Sequence, residues 1–385
     1  MSIQRMVYGG TSYFGDGARF ELISEIKKRR YEKPFLVTDE PLIACGISEQ
    51  IETVLRDAGI EYVRFSGVKQ NPTIENVQAG VDDYLSSGCD FIVAVGGGSV
   101  IDTAKAIAVV AANMDHIDVA SLEGVDKNEF PPVPILAVPT TAGTGSETTM
   151  DYVITNVQEK RKMACMCSLG VPKAAFLDTE LMVSMPIRMT IATAMDALTH
   201  AVESYLAKNA FEFSEMLSLE AVRLISDNLL TVIKSPEDLG VRKNLAMAQY
   251  MAGMSFTNVG LGIVHSLAHP LSAFYDIPHG VANAVILPYV LEFNAPVCLD
   301  RINRLAKAFD ENYDGDDVYE ALEICTDRIR SFLKEVGLSM TLQQLGVVYE
   351  DIEMLAQSAY DDVSTLDNPR EVTVEDMIVI YKSMY

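Results

Sequence analysis

The chain has no tryptophan, few histidines and a marked shortage of basic residues. Its 385 residues include five histidines, and 30 Lys and Arg stand against 54 Asp and Glu, for a formal net charge of −24. A chain of this charge is repelled by the phosphates of nucleic acids and by anionic membrane surfaces. We therefore expect neither a nucleic acid nor a membrane as a partner.

Cysteine is sparse as well. The six cysteines are scattered without a C-x-x-C pair, and residues 1–10 contain no apolar segment of the kind that directs secretion. Isolated thiols in such a chain act mostly as small apolar side chains. These absences predict a reduced, cytoplasmic protein.

Charged residues are missing altogether from one long stretch, which runs from Asn244 to Tyr275. Gln249, His265 and Pro270 interrupt it, and in a lipid environment the polar groups of this stretch would need partners from neighbouring helices. We interpret this stretch as the most buried part of a soluble domain.

Two domains are predicted, with a boundary near residue 185. Up to that point short β-rich runs alternate with amphipathic stretches near 47–58, 73–87 and 99–113, a pattern typical of βαβ units around a parallel sheet. The predicted strands are 34–38, 62–65, 91–95 and 135–138. Beyond Pro186 helical periodicity continues to the end. The expected fold is therefore an α/β domain over 1–185 and an all-α domain over 186–385.

A glycine-rich turn and an acidic residue suggest a dinucleotide site in the first domain. Gly96-Gly97-Gly98-Ser99 follows an apolar strand and opens a helix, so backbone N–H groups and the helix N-terminus can face a phosphate. The fingerprint G-x-G-x-x-G is not met, because its third glycine would fall on Ile101. Asp39 follows the strand 34–38, where a carboxylate would accept from ribose hydroxyls and repel a 2′-phosphate. This pattern favours NAD over NADP.

A second polar loop, Pro139–Glu147, also follows a strand and offers hydroxyl groups and glycine N–H groups. The chain contains neither a G-x-S-x-G elbow nor a G-x-x-x-x-G-K-[ST] loop, so the serine-hydrolase and P-loop interpretations lack support.

The histidines suggest a metal site in the second domain. Asp196 and His200 are four residues apart, which places both on one helix face, and Glu203 continues that face. His265 and His269 repeat the spacing, and His279 follows Pro278 at a turn. Ionisable groups in so apolar a region need a common partner, and Asp with three His suits Fe²⁺ or Zn²⁺. Spacing alone leaves open which three histidines bind the ion.

Taken together, these motifs resemble those of the iron-containing, or group III, alcohol dehydrogenase family over essentially the whole chain. The shared motifs are G-G-G-S-x-x-D-x-x-K at 96–105, N-P-T at 71–73, T-T-x-G-T-G-S-E at 140–147, metal signatures at 196–201 and 260–280, and N-P-R at 368–370. The resemblance implies the two-domain fold that this family shares with dehydroquinate synthase, and a homodimer or larger assembly.

The resemblance also implies roles for individual residues. It assigns the metal to Asp196, His200, His265 and His279, and it places His269 beside the substrate. For NAD it implies Asp39 at the adenosine ribose, Asn71, Gly97, Gly98, Ser99 and Asp102 around the diphosphate, Thr140, Thr141 and Thr144 in the second loop, and Thr149, Val153 and Lys162 near the nicotinamide.

The activity implied is reversible hydride transfer between NAD(H) and a short alcohol or aldehyde, in a cleft between the two domains. Three positions depart from the family pattern: Ala194 replaces a usual glycine, Asp151 an expected asparagine, and Ser364 a cysteine of a close relative. Asp151 and Ser364 would alter the substrate if they line the pocket.

Two alternatives come from other classes. A dehydroquinate-synthase-like lyase would need several Lys or Arg to bind a phosphate and carboxylates, and the stretch 244–275 has none. An NAD-dependent metal sensor or a storage protein would not consume NADH catalytically.

Overall fold

The computed structural model describes residues 3–113, 118–159 and 161–385. The chain divides into two compact units. The first is Met6–Met185, and the second contains Pro186–Tyr385 and takes in residues 3–5.

The first unit is built on a parallel sheet. Its strands are β1 (Thr11–Phe14), β2 (Pro34–Val37), β3 (Val63–Phe65), β4 (Phe91–Gly96), β5 (Gly124–Val125), β6 (Ile135–Pro139), β7 (Asp151–Asn156), β8 (Arg161–Met166) and β9 (Ala174–Leu177). Six of them form one sheet in the order β1-β9-β6-β4-β2-β3, with parallel pairing throughout. Strands β5, β8 and β7 form a separate small sheet, in which β7 and β8 are antiparallel.

Helices cover both faces of the large sheet. They are α1 (Leu22–Arg29), α2 (Glu40–Ala44), α3 (Ile47–Asp57), α4 (Ile74–Ser87), α5 (Gly98–Ala112) and α6 (Thr179–Met182). Alternate side chains of β4 enter different cores: Ile92 and Ala94 pack with α4 and α5, while Val93 and Val95 pack with α1 and α3. Because both faces are buried, β4 is apolar along its length, as expected for a central parallel strand.

The predicted parallel sheet is confirmed. All four predicted strands exist, as β2, β3, β4 and β6, and the three predicted helices are α3, α4 and α5. The prediction did not include β1, β9 or the hairpin of β7 and β8.

The second unit is helical, as predicted. Its helices are α7 (Ile187–Leu206), α8 (Glu212–Lys234), α9 (Leu239–Val259), α10 (Ile263–Tyr275), α11 (His279–Asn294), α12 (Leu299–Phe309), α13 (Val318–Glu335), α14 (Ile352–Tyr360) and α15 (Val374–Ser383). Residues 279–297 are long and apolar enough to cross a membrane by length and composition, but 61% of that segment is buried inside the protein. The apolar character of α11 is thus explained by its position in the core.

Candidate metal and cofactor sites

The glycine turn joins β4 to α5. Gly97 is the N-cap of α5 and has no side chain to cap it, so the N–H groups of the first helical turn are available to a ligand. A side chain could not be accommodated at Gly98, because a Cβ atom there would lie 2.5 Å from Cγ2 of Thr144. A Cβ on Gly97 would lie 3.1 Å from Oγ1 of Thr141. Glycine at Gly98, and to a lesser degree at Gly97, therefore permits the close approach of the second polar loop to this turn.

The second polar loop lies against this turn. The N–H of Thr140 donates to the carbonyl of Gly96 at 3.1 Å, at the point where β6 ends. Ser99 lies on the other side, where its hydroxyl donates to the carbonyl of Gln70, and the next residue, Asn71, is exposed. The structure thus gathers these predicted diphosphate-binding residues around the N-terminus of α5.

Asp39 stands where the sequence placed it, at the carboxyl end of β2. It is the N-cap of α2, and its Oδ1 atom accepts from the N–H of Leu42 at 2.9 Å. Burial raises the pKa of the Asp39 carboxyl, although the Leu42 hydrogen bond opposes the rise. Asp39 is only half-buried, so its carboxyl is within reach of a ligand at this edge of the sheet.

Asp102 faces inward and is engaged by the protein itself. Its carboxylate accepts from the hydroxyl of Ser146 at 2.6 Å and from the N–H of Val153 at 3.0 Å. Asp102 therefore joins α5 to the second loop and to β7. Its influence on a bound diphosphate would be exerted through those elements.

Lys105 is a functional candidate that the residue-by-residue reasoning missed, although it is the final residue of the 96–105 motif. It is fully buried, and its Nζ atom donates to Oγ1 of Thr149 at 2.9 Å and to the carbonyl of Asp151 at 2.7 Å. Thr149, predicted near the nicotinamide, is 2% exposed. Lys105 thus fixes the backbone where β7 begins.

Lys105 should make the stability of the protein depend on pH. Burial lowers the pKa of Lys105 from 10.5 to about 8, although Asp102 and other acidic neighbours oppose the shift. Below that pKa the folded state bears the full cost of a buried charge, and the cost falls as the pH rises between the folded and unfolded pKa values. The unfolding free energy of the wild type should therefore rise relative to that of Lys105→Met, by on the order of 3 kcal/mol over this range.

Denaturant titrations at several pH values would measure this difference. Lys28→Met is the control, because the side chain of Lys28 is 67% exposed, and its removal should not reproduce the effect. Parallel stability curves for the wild type and Lys105→Met would contradict the prediction.

Val153 and Lys162 share one face of the β7–β8 hairpin. Asp151, Val153 and Thr155 are half-buried and alternate with buried residues, and Thr155 pairs with Lys162 across the ladder. Asp151, one of the three departures from the family pattern, is therefore on the same face as Val153 and Lys162, two of the three residues predicted near the nicotinamide.

The predicted metal ligands come from three helices of the second unit. Asp196 and His200 lie one turn apart on α7, His265 lies in the first turn of α10, and His279 is the first residue of α11. Asp196, His265 and His279 each offer one ligand atom, and these atoms all lie within 4.8 Å of one another. The imidazole of His200 stacks on that of His265, with ring centroids 4.7 Å apart.

Asn283 marks the point on which these atoms converge. Its Nδ2 atom is 2.7 Å from Oδ1 of Asp196, 3.2 Å from Nε2 of His265 and 3.1 Å from Nε2 of His279. Three acceptors from three helices thus face one donor. These three atoms, a carboxylate oxygen and two imidazole nitrogens, are of the ligand types that Fe²⁺ and Zn²⁺ prefer. The residues therefore fit the predicted ion. Asn283 lies four residues after His279, a spacing that could have indicated it.

Glu203 holds the imidazole of His265. Its Oε2 atom is 2.5 Å from Nδ1 of His265, and its Oε1 atom accepts from the N–H of Val264 at 2.6 Å. Burial raises the pKa of the Glu203 carboxyl to about 8, although the Val264 hydrogen bond and the nearby His200 oppose the rise. A Cβ on Gly262 would lie 2.8 Å from Oε1, so glycine is needed for this close contact. Nε2 of His265 faces away from Glu203, toward Asn283.

Glu203→Gln should weaken metal binding by about 10–100-fold. Above its raised pKa the Glu203 carboxylate accepts from both the Val264 N–H and Nδ1 of His265, whereas an amide has one acceptor atom and must lose one of these bonds at any pH. Competition against a chelator of known affinity would measure the change. Glu220→Gln, on the exposed part of α8, is the control, and an unchanged affinity in Glu203→Gln would rule out this role.

His269 lies beside the cluster. Its ring is parallel to that of His279, with centroids 5.3 Å apart and planes 14° apart. Its Nδ1 atom is 2.7 Å from Oδ2 of Asp362, a partner that the sequence reasoning did not anticipate. Phe256 stacks on His200, with ring centroids 4.6 Å apart. Ser364 is buried, two residues after Asp362.

Comparison with known proteins covers both units. The sequence model described as iron-containing alcohol dehydrogenase matches residues 10–179, and the C-terminal model of the Fe-containing alcohol dehydrogenase family matches residues 190–385. The chain is 41% identical to lactaldehyde reductase of Escherichia coli K12 over 99% of both chains. It is 40% identical to the NAD-dependent methanol dehydrogenase of Bacillus methanolicus over 97% of each. The crystal structure of a 1,3-propanediol oxidoreductase matches with a TM-score of 0.96 and 35% identity over 100% of both chains.

Proposed function

The chain belongs to the iron-containing alcohol dehydrogenase family, an NAD-dependent group of oxidoreductases that act on short alcohols and aldehydes, and from this premise we propose that it interconverts lactaldehyde and 1,2-propanediol. The observation that carries the proposal is the convergence of Asp196, His265 and His279 on one point, in a chain with 41% identity to a lactaldehyde reductase.

Asp196, His200, His265 and His279 would hold the metal, with Fe²⁺ as the native ion and Zn²⁺ as the alternative. Bound there, the ion supplies a Lewis acid that polarises the aldehyde oxygen. Glu203 orients His265 through Nδ1, and the stacked ring of Phe256 restricts the rotation of His200. The Glu203 contact leaves Nε2 of His265 facing Asp196 and His279.

The first unit would bind NAD(H), which supplies the hydride. Gly97 and Gly98 leave space for the diphosphate at the N-terminus of α5, with Asn71, Ser99 and the second loop around it. Asp39 would accept from the ribose hydroxyls and repel a 2′-phosphate, which favours NADH over NADPH. Val153 and Lys162, which share one face of the hairpin, would lie near the nicotinamide half.

His269 would exchange the proton. Reduction of an aldehyde places negative charge on its oxygen, and a neighbouring imidazole can donate a proton there or accept one in the reverse direction. His269 is suited to this role because its ring lies beside that of His279 while its Nδ1 atom is engaged by Asp362.

A sister activity is the second candidate. The similarity to enzymes named for methanol and 1,3-propanediol favours other short alcohols, butanol included, and Asp151 and Ser364 are the positions at which the substrate could be distinguished. A dehydroquinate-synthase-like lyase is disfavoured by the absence of charge in the stretch 244–275.

The test is anaerobic. The protein is stripped of metal, reloaded separately with Fe²⁺ and Zn²⁺, and assayed for NADH and NADPH oxidation with lactaldehyde, propanal and butanal. The proposal expects turnover with Fe²⁺ and NADH that is fastest on lactaldehyde. Turnover only on the unhydroxylated aldehydes would indicate that the substrate is another short alcohol, not 1,2-propanediol. Metal binding without any NADH consumption would refute the dehydrogenase proposal for these substrates.

The assembly and location are part of the same proposal. We expect a homodimer or larger homo-oligomer in the cytoplasm, and light scattering after size-exclusion chromatography would measure the mass against the 42.2 kDa of one chain.

A further inference from the structure

A polar ladder joins the C-terminal segment 362–368 to helix α10. This segment, which contains the 3-10 helix Val363–Asp367, runs antiparallel to α10. Its three rungs join Asp362 to Nδ1 of His269 at 2.7 Å, Thr365 to the hydroxyl of Ser266 at 2.8 Å, and Asn368 to the N–H of Ile263 at 3.3 Å. Successive rungs are three residues apart on both segments. A 3-10 helix repeats every three residues, and α-helical residues three apart share a face, so the rungs align.

The rung at Asp362 is connected on both sides. While Oδ2 faces His269, Oδ1 accepts from the N–H of Ser364 at 2.9 Å, which caps the 3-10 helix. The side chains of Asp362 and His269 are 16% and 18% exposed. The carboxylate is therefore held by its own backbone and cannot follow the imidazole if the ring turns.

The chemistry of this rung determines where the imidazole carries its proton. Burial raises the pKa of the Asp362 carboxyl, but the charge and hydrogen bonds of its neighbours, His269 first, lower it to about 2. Asp362 is thus ionised at neutral pH and can only accept. Two acceptors do not lie 2.7 Å apart, so Nδ1 of His269 carries a hydrogen, and Nε2 is the nitrogen left to gain or lose a proton.

We infer that Asp362 is a positioning residue for His269, which fixes the imidazole in the Nδ1–H tautomer and directs proton exchange to Nε2. The inference rests on the proposed function in one respect, namely that His269 exchanges the proton of the substrate. The other two rungs hold the segment alongside α10 and contact neither nitrogen of His269.

The first test reads the tautomer directly, without metal or substrate. The protein is labelled with ¹⁵N-histidine, and long-range ¹H–¹⁵N spectra are recorded at about pH 9, well above the ordinary pKa of histidine. With five histidines in the chain, a His269→Asn spectrum assigns the His269 signals. The wild type should show the Nδ1–H tautomer, and Asp362→Ala should add a substantial population of the Nε2–H tautomer.

Thr365→Val is the matched control, since it removes the adjacent rung but leaves the Asp362 contact. Its tautomer should equal that of the wild type. The inference is overturned if Asp362→Ala keeps the wild-type tautomer, or if Thr365→Val changes it as much as Asp362→Ala does.

The second test is kinetic, on the protein reloaded with Fe²⁺. General acid–base catalysis contributes about 10²–10⁴-fold, and a misoriented imidazole should forfeit part of it, so Asp362→Ala should lower kcat by about 10–100-fold. Bound metal and the KM for NADH should stay as in the wild type, and Asp362→Asn, which can still accept from Nδ1–H, should recover part of the rate. An unchanged kcat in Asp362→Ala would contradict the inference. If the wild type itself shows no turnover, the proposed function fails, while the tautomer measurement still decides the role of Asp362.

Discussion

His265→Ala should remove the metal and the activity together. Three helices direct acceptors to one point, and His265 provides the one that is also held by Glu203. Without it, the ion would lose a nitrogen ligand and the contact that orients it. Lewis-acid activation is worth several kcal/mol, so kcat/KM should fall by about 10³-fold or more.

Elemental analysis after reconstitution with Fe²⁺, alongside NADH oxidation, measures both effects. Ser272→Ala is the control on the same helix, because the buried hydroxyl of Ser272 has no hydrogen-bond partner among the residues that the structure describes, and its loss should cost little. A His265→Ala protein that keeps stoichiometric metal and full turnover would show that the metal site is assigned wrongly.

His269→Ala should keep the metal and lose most of the turnover. The ring lies beside His279 but contributes no atom to the group of ligand atoms within 4.8 Å of one another. If it exchanges the substrate proton, kcat should fall by about 10²–10⁴-fold while the metal content stays constant.

His269→Gln is the informative companion variant, since its side chain can fill part of the space without exchanging a proton near neutral pH. Both variants should be slow. Recovery of near wild-type kcat in His269→Gln would indicate that the ring acts by packing, and loss of metal in both variants would make His269 part of the metal site instead.

The parts of the fold that could be predicted from the sequence are those with a local and periodic signal. Strand β4 is apolar throughout and is followed at once by glycines, so strand, turn and helix α5 were all predictable. Strands β7 and β8 were missed because both of their faces mix polar and apolar residues. In β7 the half-buried face carries Asp151, Val153 and Thr155, which gives little contrast at a period of two. Strand β9, with two alanines, has low β propensity.

In the candidate sites, too, the contacts with a local signal could be predicted and the long-range contacts could not. The spacing of Asp196 and His200, and of His265 and His269, is local, and the helices α7 and α10 hold each pair as expected. Asn283 meets Asp196 across 87 residues, and Asp362 meets His269 across 93. Contacts of that length depend on how helices pack, and they leave no periodic trace in the sequence.

The convergence of α7, α10 and α11 also has a thermodynamic consequence. An unfolded chain does not bring these three segments together, so an ion that binds there binds the folded state alone. By mass action, free ion at about a thousandfold its dissociation constant would add about 4 kcal/mol to the stability of the folded protein. The melting temperature should accordingly rise with the logarithm of the metal concentration. In a cell short of the metal, the metal-free protein would unfold more often and would be degraded faster by proteases.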